Sequence, residues 1–170
     1  RYYTNIVGKY GMQVQSVLKK ASGLDIRMIC PLHGPIWRTD LDYIIEKYDK
    51  WSRYEPEVKG VMIAYASMYG NTENMADILA VKLAEKWVKD IRMHNISKTH
   101  VSELIADSFK YSHIVLAAPT YNNGIYPLMD NYLEDMQALA LKNRTIAVLG
   151  NGSWAPQSTK LISTKISGMK

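Results

Sequence analysis

With 170 residues, 47% of them hydrophobic and 22% charged, the chain has the make-up of one soluble globular domain, or of one domain plus part of another. No apolar run approaches the roughly 20 residues of a membrane span and the amino terminus lacks a signal-peptide plan, so a cytoplasmic protein without membrane contact is expected. The +5 net charge is spread among acids, as in Lys82, Glu85, Lys86, Lys89 and Asp90; that is a solvated helix face and not a nucleic-acid patch, and the single cysteine, Cys30, excludes an internal disulfide.

Residues 1–20 carry Ile6, Tyr10, Val14 and Leu18 on one stripe and read as a helix without an N-terminal cap, ended by Ala21, Ser22 and Gly23. Residues 24–30 alternate loosely and predict a strand, with Cys30 at its end as a buried, inert thiol. The strand runs into Pro31, Leu32, His33, Gly34 and Pro35. A histidine held between two prolines sits in a stiff exposed loop, suited to a side chain that must point at something, although such a histidine alone is more often structural. After Trp37 a helix from about Asp40 places Leu41, Ile44, Ile45, Tyr48 and Trp51 on its apolar side. Residues 52–59 are polar and contain Pro56, which marks a linker, and residues 1–56 hold too little sheet to close a core alone.

Residues 60–72 are the most informative stretch. Val61, Met62, Ile63, Ala64 and Tyr65 form the short apolar run of a central parallel strand covered on both faces. From Glu73 to about Val88, Met75, Ile78, Leu79 and Leu83 recur at helical spacing. Between strand and helix lie Ser67, Met68, Tyr69, Gly70, Asn71 and Thr72, a turn without charge that offers hydroxyls and backbone N–H groups at the positive end of a helix dipole, where a phosphate group fits. A Walker loop needs a Gly-Lys-Ser/Thr ending and a dinucleotide fingerprint needs three glycines; neither is present. A plain capped turn is the competing reading of this hexamer.

Downstream, residues 90–96 predict a strand, 101–109 a helix, 113–118 a second apolar strand, 126–140 a helix with Pro127 in its first turn, 145–149 a strand, and 155–169 a helix. The repeated order of strand, loop and helix implies a doubly wound parallel α/β sheet, whose ligands bind beyond the carboxyl ends of the strands. Three uncharged loops should meet there: the phosphate turn, then Pro119, Thr120, Tyr121, Asn122 and Asn123, and then Gly150, Asn151, Gly152, Ser153 and Trp154. Tyr121 and Trp154 could stack on a flat ring such as isoalloxazine, and loop amides could meet its polar rim.

Taken together, these stretches resemble flavodiiron proteins. Residues 57–170 look like their flavodoxin-like FMN domain, lacking the last strand, and residues 1–56 look like the C-terminal piece of the metallo-β-lactamase-like αββα domain that precedes it. The resemblance implies that residues 67–72 bind the FMN phosphate, that residues 119–123 and 150–154 contact the ring, and that His33 is the last histidine ligand of a diiron centre. The other iron ligands have no counterpart in this sequence, and His94, His100 and His113 are expected to be structural or surface residues. By the same resemblance the activity is electron transfer from FMN to two irons, reducing dioxygen to water or nitric oxide to nitrous oxide. The resemblance further implies a head-to-tail homodimer and a donor such as rubredoxin, a flavin reductase or a reduced deazaflavin. An electron carrier without a catalytic metal and a flavin-dependent quinone reductase are the rival readings.

Overall fold

The computed structural model describes residues 1–153 and 155–169. Its frame is a four-stranded, wholly parallel sheet of β1 (Val58–Tyr65), β2 (Ile91–Asn95), β3 (Tyr111–Pro119) and β4 (Thr145–Asn151), in the order β2-β1-β3-β4. The order reverses between β1 and β3, because one crossover leads from β1 to its neighbour on one side and the next returns to its neighbour on the other. Beyond the carboxyl ends of this central pair lies the switch point of a doubly wound sheet.

The two faces are covered unequally. Met62, Ala64, Ile114 and Leu116 point into a large apolar layer against α4 (Val101–Lys110), α5 (Pro127–Ala138) and α6 (Ser158–Ser167), where Leu104, Phe109, Tyr132, Leu133 and Ile162 are buried. Val61, Ile63, Tyr65 and Val115 face the other way, onto the single helix α3 (Asn71–Glu85) through Ala76, Leu79 and Leu83. Period-two alternation of β1 and β3 thus feeds apolar residues to both faces, as their continuous apolar runs predict. Helices α3, α4 and α5 occupy the predicted segments to within a few residues, and Pro127 is the first residue of α5.

The amino-terminal part departs further from expectation. Residues 1–21 are helical but uneven: a π-helical turn (Tyr3–Val7), a 3-10 turn (Gly8–Tyr10) and then α1 (Gly11–Ala21). Helix α2 (Leu41–Ser52) forms as expected. Residues 24–30 do not make a strand. Only Ile29 pairs, in an isolated antiparallel bridge with Trp37, and the alternation of Leu24, Ile26 and Met28 finds no neighbouring strand among the described residues to turn it into sheet. Cys30 is therefore exposed and not buried.

The polar stretch before β1 is packed rather than free. Tyr54 is buried in the main core, donates its hydroxyl to the Gly8 carbonyl at 2.8 Å, and lies beside Phe109. Glu57 is held by Lys47 and by the Trp51 indole N–H. Arg144, on the loop into β4, gathers this region: Nε donates to the Ser108 carbonyl at 2.9 Å, Nη1 to Tyr54 at 2.7 Å and Nη2 to Phe109 at 2.5 Å. Burial pushes its guanidinium down to about 10, which leaves it charged at neutral pH. One cation thereby closes the carboxyl end of α4, whose carbonyls lack partners within the helix, and fastens the residue that links α2 to β1.

The histidines of this half are structural, as expected. His94 is buried and its Nε2 lies 2.7 Å from Asp107 Oδ2, His100 Nδ1 accepts from the Ser102 amide at the start of α4, and His113 Nδ1 lies 2.8 Å from the Ser112 hydroxyl. Burial alone would raise the Asp107 carboxyl, but the hydrogen bond from His94 and the positive charges around it hold it below the usual range.

Replacing Arg144 by Gln removes charge-assisted bonds to three carbonyls on two segments, the end of α4 and the stretch before β1, and urea denaturation should read a loss on the order of 3 kcal/mol. A loss under about 0.5 kcal/mol would show that water replaces the guanidinium without cost.

Candidate functional site

The chain leaves β1 at Tyr65 and enters α3 at Asn71, so the phosphate turn is shorter than the sequence suggested: Asn71 and Thr72 already form the first helical turn. Gly70 occupies the N-cap position with φ +84°, a left-handed conformation that glycine adopts without steric cost. Glycine has no side chain to cap with, and none of the described residues caps this helix end. The Gly70 amide donates to Ser67 Oγ at 3.1 Å, which folds the turn over and leaves the Ser67 proton free to donate outward. Thr72 is buried, whereas Met68 and Tyr69 project, Tyr69 almost wholly exposed. The outcome is a helix end with open amide donors at the mouth of a cleft.

That cleft, of about 360 Å³, is bounded by Ser67, Met68, Tyr69, Asn71 and Thr72 on one side and by Pro119, Thr120, Asn151, Gly152 and Ser153 on the other. A second hollow of about 300 Å³ shares Thr120 and Ser153 with it and continues to Asn122, Asn123 and Ala155. The structure therefore brings all three predicted loops together beyond the ends of β1, β3 and β4, and the residues that line both hollows are uncharged. Trp154 lies outside the described residues.

Residues 121–124 form a tight hairpin. Tyr121 and Gly124 exchange backbone hydrogen bonds of 3.1 and 2.7 Å, and Asn122 and Asn123 both take positive φ (46° and 57°), as a type I′ turn requires and asparagine tolerates. Tyr121 is 40% exposed and edge-on to Tyr126, with ring centroids 6.1 Å apart. Tyr121 itself lines neither hollow; its neighbours Thr120, Asn122 and Asn123 do.

Thr120 has a role that its sequence position did not reveal. Its hydroxyl oxygen accepts from the amides of Gln157 at 3.0 Å and Ser158 at 3.1 Å, so it caps α6 from across the sheet edge, and its own amide donates to the Asn151 carbonyl at 2.7 Å. The two ring-side loops are laced together by this one residue. The glycines at the end of β4 and just beyond it serve the same junction: a Cβ on Gly150 would lie 1.9 Å from Thr159 Oγ1, and one on Gly152 would lie 2.9 Å from Pro156. Gly150 keeps its place because α6 packs against bare backbone, and Gly152 because Pro156 and Thr120 do, reasons invisible in a reading that assigned them to ligand contact alone. Ala155, in the second hollow, was missed for want of any chemical signal.

His33 stands elsewhere, in the amino-terminal loop, exposed and stacked on Tyr2 with centroids 4.4 Å apart. Among the described residues no three His, Cys, Asp or Glu side chains come together in a metal-binding group, so the residues present do not fit a diiron centre by themselves. The open end of α3, the neutral lining and the aromatic rim do fit a phosphate monoester that carries a flat, amide-rimmed ring.

Thr120→Val keeps the shape and deletes the cap. It should cost about 1–2 kcal/mol in chemical denaturation and speed amide exchange at the start of α6; unchanged exchange there would mean that the hydroxyl is not what holds the loop.

Residues 63–170 match the flavodoxin family. Over nearly its whole length the chain is 28% identical to a rubredoxin-oxygen oxidoreductase of Megalodesulfovibrio gigas (99% of this chain, 42% of that protein). It is 27% identical to an anaerobic nitric oxide reductase flavorubredoxin of Escherichia coli (98% and 35%). The crystal structure of a flavodiiron protein from Giardia intestinalis superposes with a TM-score of 0.93 at 25% identity, covering 99% of this chain and 41% of that one. The chain thus spans about two fifths of the length of the relatives it matches. With its parallel sheet, its strand order and its three converging loops, the chain belongs to the flavodoxin family, and it is built throughout like the corresponding part of flavodiiron proteins.

Proposed function

We propose that this chain binds FMN in the cleft beyond β1, β3 and β4 and serves an oxidoreductase of the flavodiiron kind. The observation that carries the reading is the open end of α3: a glycine N-cap at φ +84°, no capping side chain among the described residues, and a neutral cleft at its mouth. A helix end with free donors and no internal anion is a poor resting state for a protein and a good receptor for a phosphate.

In this reading the amides of Asn71 and Thr72, with the hydroxyls of Ser67 and Thr72, hold the phosphate, and the helix dipole favours its charge. Tyr69 shields the phosphate from solvent. Tyr121 packs along the ring, the backbone of Asn122 and Asn123 meets its polar rim, and Asn151, Gly152 and Ser153 close the opposite side. The cap from Thr120 to α6 keeps those two walls at a fixed separation, which is what orienting a flat ring demands. When bound, FMN supplies the one- and two-electron chemistry.

The relatives named rubredoxin-oxygen oxidoreductase and anaerobic nitric oxide reductase support a protein that hands these electrons to dioxygen or nitric oxide. On that basis residues 1–56 are the end of a metallo-β-lactamase-like domain and residues 57–170 are the FMN domain. His33 is then one ligand of an iron pair whose remaining ligands lie outside this sequence. The protein would work in the cytoplasm as a head-to-tail homodimer, fed by rubredoxin, a flavin reductase or a reduced deazaflavin. The described structure contains no helix long and apolar enough to cross a membrane.

Flavin titrations test the cofactor. FMN should bind at least about tenfold more tightly than riboflavin, the equivalent of roughly 1.4 kcal/mol from the phosphate, and equal affinities would remove the phosphate from α3. For the metal, His33→Ala in a protein that carries the complete ligand set should lose iron and, with it, consumption of dioxygen or nitric oxide. Iron content equal to the parent's would withdraw His33 from the ligand set while leaving the FMN site standing.

A further inference from the structure

Glu73 is the third residue of α3, the position from which an acidic side chain ordinarily turns back onto the start of its own helix. Here it does not. The Gly70 amide, which such a carboxylate would take, is already occupied by Ser67 Oγ. The Glu73 carboxylate accepts instead from the hydroxyl of Tyr65, the last residue of β1, at 2.7 Å. Tyr65 is buried beneath α3, in the layer that holds Ala76, Leu79 and Leu83, so packing and not solvent fixes where its hydroxyl points. Burial and the neighbouring carboxylate push the phenol up to about 12, which keeps it a proton donor at any physiological pH.

The consequence concerns the one negative charge in the first turn of α3. Left free, it would be an anion tethered beside open amide donors, able to occupy them and to repel a phosphate. We propose that Tyr65 is a positioning residue for the phosphate site: by holding the Glu73 carboxylate against the sheet, it keeps an internal competitor off the open end of α3. The assignment rests on the FMN reading for the identity of the ligand, but its physical content is the competition between a tethered carboxylate and a phosphate for one set of donors. It also explains why an acidic residue is compatible with an anion site at all. The cleft is neutral because the charge next to it is turned away.

Four forms of the chain decide the matter: the parent, Tyr65→Phe, Glu73→Gln and the double variant, each titrated with FMN and with riboflavin. Tyr65→Phe should weaken FMN about fivefold, which corresponds to roughly 1 kcal/mol, and leave riboflavin within about twofold. Glu73→Gln should bind FMN at least as tightly as the parent, and the double variant should match Glu73→Gln. Equal losses for both flavins in Tyr65→Phe, or a loss that persists in the double variant, would overturn the proposal, because a merely structural tyrosine predicts both. Should Tyr65→Phe fail to fold, Glu73→Gln decides alone, and weaker FMN binding by that variant overturns the proposal. Inorganic phosphate, followed by the amide resonances of Asn71 and Thr72, separates this proposal from the cofactor reading. A parent chain that ignores FMN but responds to phosphate refutes the cofactor alone, and the curve should then move to higher phosphate in Tyr65→Phe. An unmoved curve, or no response in the parent, refutes the gate.

Discussion

Everything functional in this chain depends on the pairing of β1 with β3. Both strands are buried on both faces, and the crossovers leave them in opposite directions, so their carboxyl ends open a gap that no connection crosses. Into that gap the sheet delivers the three loops from different parts of the sequence, the turn before α3, the hairpin after β3 and the segment after β4. None of them is long enough to fold on its own. Their geometry is borrowed from strands that are held by apolar burial and by ladders of backbone hydrogen bonds.

The division of labour among the loops is chemical. The first offers unsatisfied amides and a dipole, and so suits a negative charge. The second is a stiff hairpin with an aromatic at its base. The third carries glycines where α6, Pro156 and Thr120 pack against its backbone, and that close packing brings the backbone to the cleft. Thr120 unites the second and third by capping a helix that belongs to neither. A cleft made in this way has rigid walls without a single charged side chain lining it.

Much of this was legible in the sequence, for reasons that can be located. The unbroken apolar runs at Val61 to Tyr65 and Ile114 to Ala118 have one physical explanation, burial on both faces, and they gave the parallel sheet. The small polar residues after each strand marked the loops that line the cleft. Residues 24–30 misled because alternation of Leu24, Ile26 and Met28 signals a strand only if a partner strand lies alongside, which sequence periodicity does not test. The Cys30 expectation failed with it. Arg144 left no signal since its partners are backbone carbonyls some 35 to 90 residues away, supplied by any residue type. In the sequence Glu73 marks only the start of a helical stretch; the position of the Tyr65 hydroxyl shows where its carboxylate is held.

The unequal cladding of the sheet carries a last implication. On one side three helices insulate the strands, whereas on the other α3 stands alone, with Ile78 and Val81 half exposed along its outer flank. The element that would grip a nucleotide tail is therefore the one least supported by its surroundings. A bound molecule that docks on its first turn adds its own free energy to the weakest layer of the fold, in proportion to how far its concentration exceeds its dissociation constant. Occupancy and durability are in that sense a single variable: a cell short of the vitamin precursor would hold not only less active protein but protein that opens more readily to proteases.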